Sequence, residues 1–365
     1  MGKIKVGLLF GGKSSEHEVS LQSAKNIMEA IDHDKYDVTL IGIDKQGNWH
    51  LNNHTKYLVN EHDPKRIELN KTHKNIAVVP GRGNNQILNI DSSETFKQLD
   101  VIFPILHGPL GEDGSVQGML RMANIPYVGA NVLSSAICMD KDIAKKLLVA
   151  SGFNVANWLS VKKSNKNYPT YEEVKAELGI PFFIKPANQG SSVGVSKVKS
   201  EEEYIVGLKR AMLYDHKVLL EENIVGREVE CAVLGNEAPV ASLPGEILPN
   251  GDFYSYETKY IDENGAVLKI PADLSEDQER MIQEQSILAF EALECQGLAR
   301  VDYFLKENGE LIINEVNTLP GFTRISMYPK LWEVSGVTYP NLIERLIELA
   351  IDRNKEDYAL KNSVD

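Results

Sequence analysis

The stretch RVDYFLKENGELIINEVNTLPG, residues 300–321, reads as two short strands joined by the dipeptide Asn308-Gly309. Asn-Gly is the favoured two-residue turn of a tight antiparallel hairpin, because both of its residues adopt positive φ easily. Such a turn pairs Glu307 with Glu310, and the following pairs can be counted outward along both strands. The chain is therefore predicted to contain a hairpin of known register.

Four polar residues lie on one face of this hairpin. The predicted register places Asp302 opposite Glu315 and Arg300 opposite Asn317, and alternation of side chains brings all four together. Two carboxylates ~5 Å apart repel by about 3 kcal/mol at an effective dielectric of ~20, whereas strand propensities span only ~1 kcal/mol. A divalent cation relieves this repulsion, and carboxylate and amide oxygens suit Mg²⁺. The alternative is a solvated face whose carboxylates pair with lysines. The opposite face is predicted to be apolar, with Val301, Tyr303, Ile312 and Val316.

The bulk composition limits the class of protein. A chain of 365 residues is long enough for two or three domains, and a net charge of −13 argues against a nucleic-acid partner, which requires clustered Lys and Arg. Cys138, Cys231 and Cys295 are too widely spaced for a zinc motif or a disulfide framework, so buried free thiols are expected. No apolar run approaches the ~20 residues of a membrane span. The sequence predicts a cytoplasmic protein without a membrane partner.

The first part of the chain has the pattern of an α/β domain. Residues 3–10 and 36–44 read as strands that flank a helix, and residues 101–106 read as a further strand. A strand, a helix and a strand in this order imply a parallel sheet. We expect an N-terminal α/β domain at residues 1–135, with no readable structure in residues 45–97.

The rest of the chain alternates helices and strands in an α+β pattern. Helices are predicted at residues 134–150, 200–212 and 275–293, and strands at residues 182–185, 218–222, 227–233, 298–305 and 311–316. Residues 246–265 read as a loop, and the charged tail beyond residue 352 is expected to be loosely held. We divide this part into a central subdomain at 136–245 and a C-terminal subdomain at 246–365.

Two further features could bind phosphate. The segment 189–194, QGSSVG, follows Lys185 at the end of a strand, and such a loop presents backbone N–H groups and hydroxyls to an anion. It is not a Walker A loop, since no Lys-Ser/Thr pair follows its last glycine. A flexible connector is the alternative. Lys141 on the preceding helix is either a second phosphate ligand or a solvated surface residue.

Several charged residues stand at strand ends, where binding sites of α/β proteins gather. Glu221, Glu222 and Glu228 could hydrogen-bond an adenine and a ribose, or could simply be solvated. His107 follows a strand and is either an active-site or a structural histidine. Glu16, after the first βα turn, is either a ligand contact or a surface charge.

Six segments in a fixed order resemble one known family. They are FGGKSSEHEVS (10–20), LHGPLGEDGSVQGML (106–120), MDK (139–141), KPANQGSSVGVSKV (185–198), YETKY (256–260) and the hairpin with its continuation NTLPGFTRISM (317–327). Together they resemble the D-alanine–D-alanine ligases of the ATP-grasp superfamily, and the likeness runs from residue 3 to about residue 350. The resemblance implies a parallel-sheet α/β domain followed by a two-part ATP-grasp module.

The resemblance also implies a reaction and its cofactors. ATP would phosphorylate the carboxylate of one D-alanine, and the amine of a second D-alanine would displace the phosphate to give a dipeptide for peptidoglycan synthesis. Mg²⁺ is the implied metal, with Mn²⁺ as a substitute, and the family adds stimulation by K⁺ and a homodimer, for which the residues themselves give no sign. Two rivals stay open: an ATP-grasp ligase that makes a D-alanyl ester or another dipeptide, and a non-catalytic nucleotide-binding protein.

Matching positions carry the family's residue roles to this chain. ATP would be bound by Lys141, Lys185, Ser192, Glu221, Glu222, Ile224, Glu228 and Lys259, and the metal by Asp302, Glu315 and Asn317. Substrate contacts would come from Glu16, His107, Lys259, Ser326 and Met327. The tetrahedral intermediate would be stabilised by Arg300 and the backbone N–H of Gly321. Glu16, Ser191 and Tyr260 would form a hydrogen-bonded set that closes the site, and Tyr at position 260 accompanies D-alanine as second substrate.

Overall fold

The structure is a computed structural model that describes residues 2–72, 74–80, 86–90, 98–165, 167–249, 266–323, 325–361 and 364. The first sheet has the order β3-β2-β1-β8. Its strands are β1 (Ile4–Gly11), β2 (Tyr36–Ile43), β3 (Trp49–Asn52) and β8 (Val101–Ile105), of which β3 alone runs antiparallel to its neighbour. Between them lie two small ribbons formed by β4 (Leu58–Val59), β5 (Glu68–Leu69), β6 (Ile76–Val78) and β7 (Ile87–Asn89), so the segment that sequence patterns left unread contains short strands.

Helix α1 (His17–Ala30) is fixed to the carboxyl end of the first sheet by one buried hydroxyl. Ser20 Oγ accepts from the backbone N of Gly11 at 2.7 Å and donates to the carbonyl of Ile105. Gly11 has φ +90°, and a Cβ there would lie 2.2 Å from the carbonyl oxygen of Ile43, so the turn requires glycine. This tight turn places the start of α1 over the sheet edge.

The helices after the first sheet are α2 (Ser115–Met122), α3 (Val132–Met139) and α4 (Lys141–Ala150). The prediction of one helix at 134–150 is wrong, because Asp140 has extended backbone angles and separates α3 from α4. Its carboxylate accepts from the backbone N–H groups of Asp142 and Ile143, which caps α4. The cap makes Lys141 the first residue of a new helix.

The second sheet is antiparallel and has the order β11-β10-β12-β9. It consists of β9 (Trp158–Lys162), β10 (Phe182–Pro186), β11 (Ser196–Val198) and β12 (Lys217–Glu222). Helices α5 (Tyr171–Leu178) and α6 (Glu201–Ala211) cover one face, where apolar side chains such as Phe182, Tyr204 and Leu220 form a core. The other face is left for polar residues.

The third sheet is also antiparallel, with the order β16-β15-β13-β17-β18 and β14 paired to β13. Its strands are β13 (Arg227–Gly235), β14 (Val240–Ala241), β15 (Gly245–Pro249), β16 (Ala266–Lys269), β17 (Gly297–Leu305) and β18 (Leu311–Asn317). Helix α7 (Glu276–Ala292) packs on one face. The predicted loop at 246–265 is therefore wrong for its first residues, which belong to β15.

Helices α8 (Met327–Val334) and α9 (Tyr339–Ala359) complete the fold. Their apolar faces share a core with the first sheet, in which Phe10, Phe322 and Tyr328 are fully buried. The prediction of a loose tail beyond residue 352 is wrong up to Ala359, because buried Arg353 donates to the carbonyls of Gly129 (2.5 Å) and Tyr127 (2.7 Å). The last helix thus holds the first sheet against the third.

A parallel-sheet α/β unit followed by two antiparallel sheets with helices confirms the α/β and α+β fold class predicted from the sequence. The divisions at residues 135 and 245 stay predictions. Across the described part of the chain, helices are too short or too polar to span a bilayer.

Candidate active site

In the hairpin of β17 and β18 the polar residues pair as predicted, but the turn differs from the prediction. Asp302 pairs with Glu315, and Arg300 pairs with Asn317. The predicted pairing of Glu307 with Glu310 is wrong, since the backbone N of Lys306 donates to the carbonyl of Glu310 and the strands continue one residue out of that register. A bulge next to Asp302 restores the predicted register.

The bulge also changes which apolar residues face the core. Val301, Tyr303 and Val316 pack beneath the sheet as predicted, but Ile313 joins them in place of Ile312. Each bulge inserts one unpaired residue, and alternation of faces shifts with it. The bulge therefore compensates for the one-residue shift made by the turn, so the polar residues pair as predicted. Only the residues between the turn and the bulge have partners that differ from the prediction.

Arg300 lies between two buried carboxylates. Its Nε and Nη2 atoms donate to the two oxygens of Asp302, each at 2.7 Å, and Nε lies 2.9 Å from Oε2 of Glu230. Glu230 comes from the neighbouring strand β13, where it pairs with Asp302. Three oxygens thus orient the guanidinium, which is the geometry that a fixed oxyanion donor needs.

Glu315 and Asn317 extend this polar face toward Lys141. The Nζ of Lys141 lies 3.6 Å from Oε2 of Glu315 and donates to the backbone carbonyl of Gln189 at 2.6 Å. Asn317 uses its side-chain oxygen to accept from the N–H of Leu319 at 3.0 Å. We call Glu230, Arg300, Asp302 and Glu315 the acidic cluster, because its three carboxylates outnumber its one guanidinium.

The residues predicted to bind a metal form a mixed donor set. In the described ranges no three or more His, Cys, Asp and Glu side chains are placed to hold a metal ion. Asp302 and Glu315 supply two carboxylates, and Asn317 adds an amide oxygen. This chemistry fits Mg²⁺, which binds one or two protein carboxylates and fills its octahedron with water and phosphate oxygens.

The edge of the first sheet contributes Glu16 to the same cleft. Glu16 is buried, and its Oε1 accepts a hydrogen bond from the hydroxyl of Ser191 in the glycine-rich loop. A Cβ on Gly190 would lie 3.1 Å from Oε2 of Glu16, so the loop approaches this close because position 190 is glycine. The predicted pair of Glu16 and Ser191 is therefore in contact across the cleft.

His107 is held at both ring nitrogens. Nε2 lies 3.2 Å from the hydroxyl of Ser23, and Nδ1 lies 3.2 Å from the carbonyl of Leu319. Because a carbonyl only accepts, Nδ1 donates to Leu319. The fixed ring connects α1 to the segment after β18, next to Gly321.

The segment after β18 brings Gly321, Ser326 and Met327 to the cleft. The Ser326 hydroxyl is 2.7 Å from that of Thr323 and also accepts from the Thr323 N–H at 3.0 Å. Two other predicted residues, Lys259 and Tyr260, lie outside the described residues. Their roles stay predictions.

Lys185 and Glu221 form a second charged group on the polar face of the second sheet. Nζ of Lys185 donates to Oε1 of Glu221 at 2.5 Å, and Nζ of Lys145 lies 2.8 Å from Oε2 of the same carboxylate. Burial raises the pKa of Glu221, but the two ammonium groups outweigh burial and hold its pKa below the ordinary value. We call Lys145, Lys185 and Glu221 the basic cluster.

The predicted residues thus fall into two groups. One cleft is lined by Glu16, His107, Lys141, Ser191, Arg300, Glu315, Asn317, Gly321, Ser326 and Met327. Asp302 lies beside it through Arg300, whereas Lys185, Ser192, Glu221, Glu222, Ile224 and Glu228 are not among its lining residues. The Glu222 carboxylate accepts from the backbone N of Asn157 at 2.7 Å, and Glu228 lies on β13 opposite Phe304.

Sequence reasoning missed Glu230 and Lys145. Glu230 shares a face of β13 with Glu228, but nothing in the sequence shows that β13 pairs with β17. Lys145 lies four residues after Lys141, a spacing that places both on one face of a helix, yet helical lysines are usually solvated. The i,i+4 spacing of the two lysines was the available signal.

A parallel-sheet domain joined to two antiparallel sheets, with lysines on one sheet and carboxylates on the other, defines an ATP-grasp ligase. The chain matches the family descriptions D-ala D-ala ligase N-terminus over residues 5–130 and D-ala D-ala ligase C-terminus over residues 147–348. It therefore belongs to the D-alanine–D-alanine ligase family, which serves peptidoglycan precursor synthesis. The resemblance seen in the sequence is confirmed.

Individual relatives agree with this assignment. The chain is 65% identical over 361 residues to the D-alanine–D-alanine ligase of Oceanobacillus iheyensis, with 99% of each chain covered. A solved D-alanine–D-alanine ligase from Coxiella burnetii is 40% identical with a TM-score of 0.85, covering 98% of this chain and 96% of that one. A solved ligase from Bacillus anthracis complexed with ATP is 27% identical with a TM-score of 0.71, covering 97% and 99%.

Proposed function

We propose that this chain uses ATP to join two D-alanine molecules into D-alanyl-D-alanine through a D-alanyl phosphate, in the cytoplasm. One observation carries the proposal. Lys141 contacts both the carbonyl of Gln189 in the glycine-rich loop (2.6 Å) and Glu315 in the acidic cluster (3.6 Å). A phosphate near this ammonium would lie between a loop of N–H donors and a set of metal-binding oxygens.

Phosphate transfer is the first step of the proposed reaction. Lys141 and Lys185 would bind the phosphates of ATP under the loop that contains Ser192, while Glu221, Glu222 and Ile224 would border the adenine and Glu228 the ribose. Asp302, Glu315 and Asn317 would hold Mg²⁺, which neutralises charge on the transferring phosphoryl group. A carboxylate oxygen of the first D-alanine attacks the γ-phosphorus, and ADP leaves.

The first D-alanine would lie at the edge of the first sheet. Its ammonium would meet the buried carboxylate of Glu16, and its carboxylate would lie near His107, whose ring is fixed at both nitrogens. Burial strengthens such a charge pair because little water competes. This arrangement would orient one carboxylate oxygen toward the phosphate.

Amide formation is the second step. The amine of the second D-alanine attacks the acyl carbon, phosphate leaves, and the proton of the amine is lost. The guanidinium of Arg300, fixed by Asp302 and Glu230, and the N–H of Gly321 would stabilise the tetrahedral oxyanion. Lys259, Ser326 and Met327 would hold the second substrate. The hydrogen bond from Ser191 to Glu16, extended by Tyr260, would close the site against water that hydrolyses the acyl phosphate.

The test is ADP release measured with Mg-ATP and D-alanine, with L-alanine as the control substrate and chromatography of the product. The expected result is ADP formation that depends on D-alanine and yields the dipeptide. A main product containing D-serine or D-lactate, when these compete with D-alanine, would change the proposed second substrate. Absence of D-alanine-dependent ADP release would leave the chain as a nucleotide-binding protein and refute the proposal.

The remaining family properties are proposals with separate measurements. We infer activation by Mg²⁺ with Mn²⁺ as a substitute, stimulation by K⁺, and a homodimer. Titration of each cation in the ADP-release assay and the molar mass in solution test them one by one. A monomer at working concentration would contradict the dimer without affecting the catalytic proposal.

A further inference from the structure

Lys145 is a buried lysine that has no role in the mechanism described above. It lies on α4 one turn after Lys141, and it is 1% exposed. Lysines on helices normally keep the ammonium group in water, because burial of an unpaired charge costs several kcal/mol. A buried ammonium this close to the nucleotide-binding residues therefore requires a specific set of partners.

The partners of Lys145 are a carboxylate, a carbonyl and an aromatic ring. Its Nζ lies 2.8 Å from Oε2 of Glu221, donates to the carbonyl of Ala156 at 3.1 Å, and lies 5.5 Å from the ring centroid of Trp158. Burial lowers the pKa of Lys145, and the charge of Glu221 acts in the opposite direction. Of these three partners, only Glu221 carries a charge.

Glu221 is also the partner of Lys185. Its other oxygen, Oε1, accepts from Nζ of Lys185 at 2.5 Å, so one carboxylate is shared by two ammonium groups. Two positive charges and one negative charge leave one net positive charge in the basic cluster. Without Lys145, Glu221 and Lys185 would form a neutral pair. The neighbouring Glu222 binds the backbone N of Asn157 instead.

This inference rests on the proposed function, in which Lys185 binds a phosphate of ATP. We propose that Lys145 is a positioning residue that neutralises Glu221, so that the positive charge of Lys185 remains available to the phosphate. Lys145 does not touch the nucleotide in this arrangement. It acts through Glu221, and its effect should depend on whether the ligand carries phosphates.

The experiment compares the affinities of the full chain for ATP and for adenosine by calorimetric titration. In Lys145→Met, ATP should bind about tenfold more weakly, the size expected when a charge-assisted contact to phosphate is weakened, while adenosine binding is unchanged. Lys146→Met is the matched control. Lys146 is the next residue on α4, its side chain is 56% exposed, and its ammonium pairs with Asp142 at 2.9 Å. In Lys146→Met the ratio of ATP affinity to adenosine affinity should stay within about twofold of the wild-type ratio.

A second variant separates charge balance from general damage to the site. In Lys145→Met combined with Glu221→Gln, the carboxylate is gone and the positive charge of Lys185 is no longer compensated. The ratio of ATP to adenosine affinity should therefore return toward the wild-type value. Loss of an adenine contact at Glu221 would weaken ATP and adenosine binding alike, so it cancels in the ratio of the two affinities. A merely structural lysine predicts no such rescue.

Each result either supports or overturns the proposed role of Lys145. Equal weakening of ATP and adenosine in Lys145→Met, or absence of rescue in the double variant, overturns the role of Lys145. Failure of the wild-type chain to bind ATP overturns the proposed function and the inference with it. If Lys145→Met does not fold, Glu221→Gln alone gives the answer: a higher ratio of ATP to adenosine affinity than wild type supports the charge balance, and an unchanged or lower ratio overturns it.

Discussion

The acidic and basic clusters are built in the same way and carry opposite charge. Each lies on the polar face of an antiparallel sheet, and each places a central charge between two partners of opposite sign. In the acidic cluster the guanidinium of Arg300 lies between Asp302 and Glu230, and in the basic cluster the carboxylate of Glu221 lies between Lys145 and Lys185. In each cluster the excess charge has the sign of the outer partners, which is opposite to that of the central residue.

The comparison explains how a chain with a net charge of −13 can bind a polyanion. An excess charge in a partly buried group is unfavourable unless a ligand of opposite sign completes it. In the proposed function a cation would complete the acidic cluster and an anion the basic cluster, and a metal–polyphosphate complex would supply both. Under that proposal, local pairing would decide the affinity for the ligand, and the overall charge of the chain would not.

The largest effect is expected from removing the carboxylate of Asp302. Asp302→Asn should lower turnover about a thousandfold, since metal-ion charge stabilisation contributes several kcal/mol, and should raise the Mg²⁺ concentration for half-maximal activity. Glu310→Gln is the control, because Glu310 lies in the same hairpin but pairs with Lys306 away from the cleft at 3.0 Å. Near-normal turnover in Asp302→Asn would remove the acidic cluster from metal binding.

A somewhat smaller effect is expected from changing the central cation of the acidic cluster. Arg300→Lys keeps the charge but cannot form the paired bonds to both oxygens of Asp302. The kcat for dipeptide synthesis should fall about a hundredfold, as when one oxyanion donor is lost, with the KM for ATP nearly unchanged. Steady-state kinetics check this, and an increase in the KM for ATP without a change in kcat would contradict an oxyanion role.

Glu230 tests whether the second partner of Arg300 matters. Glu230→Gln retains a hydrogen-bond acceptor but removes the charge that lies 2.9 Å from Nε of Arg300. We expect about a tenfold lower kcat, because a charge-assisted contact becomes a neutral one and the guanidinium is less firmly oriented. Wild-type kcat in this variant would show that Asp302 alone orients Arg300.

The comparison also shows what the sequence could predict. A turn dipeptide and strict alternation located Asp302, Glu315 and Asn317 together, because a hairpin is a local structure whose register can be counted. The count succeeded although the turn was wrong, since the bulge beside Asp302 compensates for it. Local periodicity likewise gave most strands and helices.

Residues from strands distant in sequence could not be predicted in the same way. Glu230 reaches Arg300 only because β13 pairs with β17. The order of strands in the third sheet is set by packing between segments far apart in the sequence, such as the pair Glu230 and Asp302. Lys145 is buried because Trp158 and Glu221 cover it from another sheet. The sequence does not reveal whether a charged side chain is buried. The contacts of Glu230 and Lys145 could therefore be identified only from the structure.

The smallest effect concerns the acid stability of the basic cluster. Lys145 and Lys185 face Glu221 and hold its pKa below the ordinary value against the effect of burial. A carboxylate whose pKa is lower in the folded state adds stability above its unfolded pKa of about 4.3, and this contribution is lost as the pH falls toward the folded pKa.

Glu221→Gln has no carboxylate and lacks this contribution. The difference in thermal unfolding midpoint between wild type and Glu221→Gln should therefore shrink as the pH is lowered from about 6 to 3. A difference that stays constant over this range would mean that the two lysines do not stabilise the ionised carboxylate, and the likeness between the two clusters would fail.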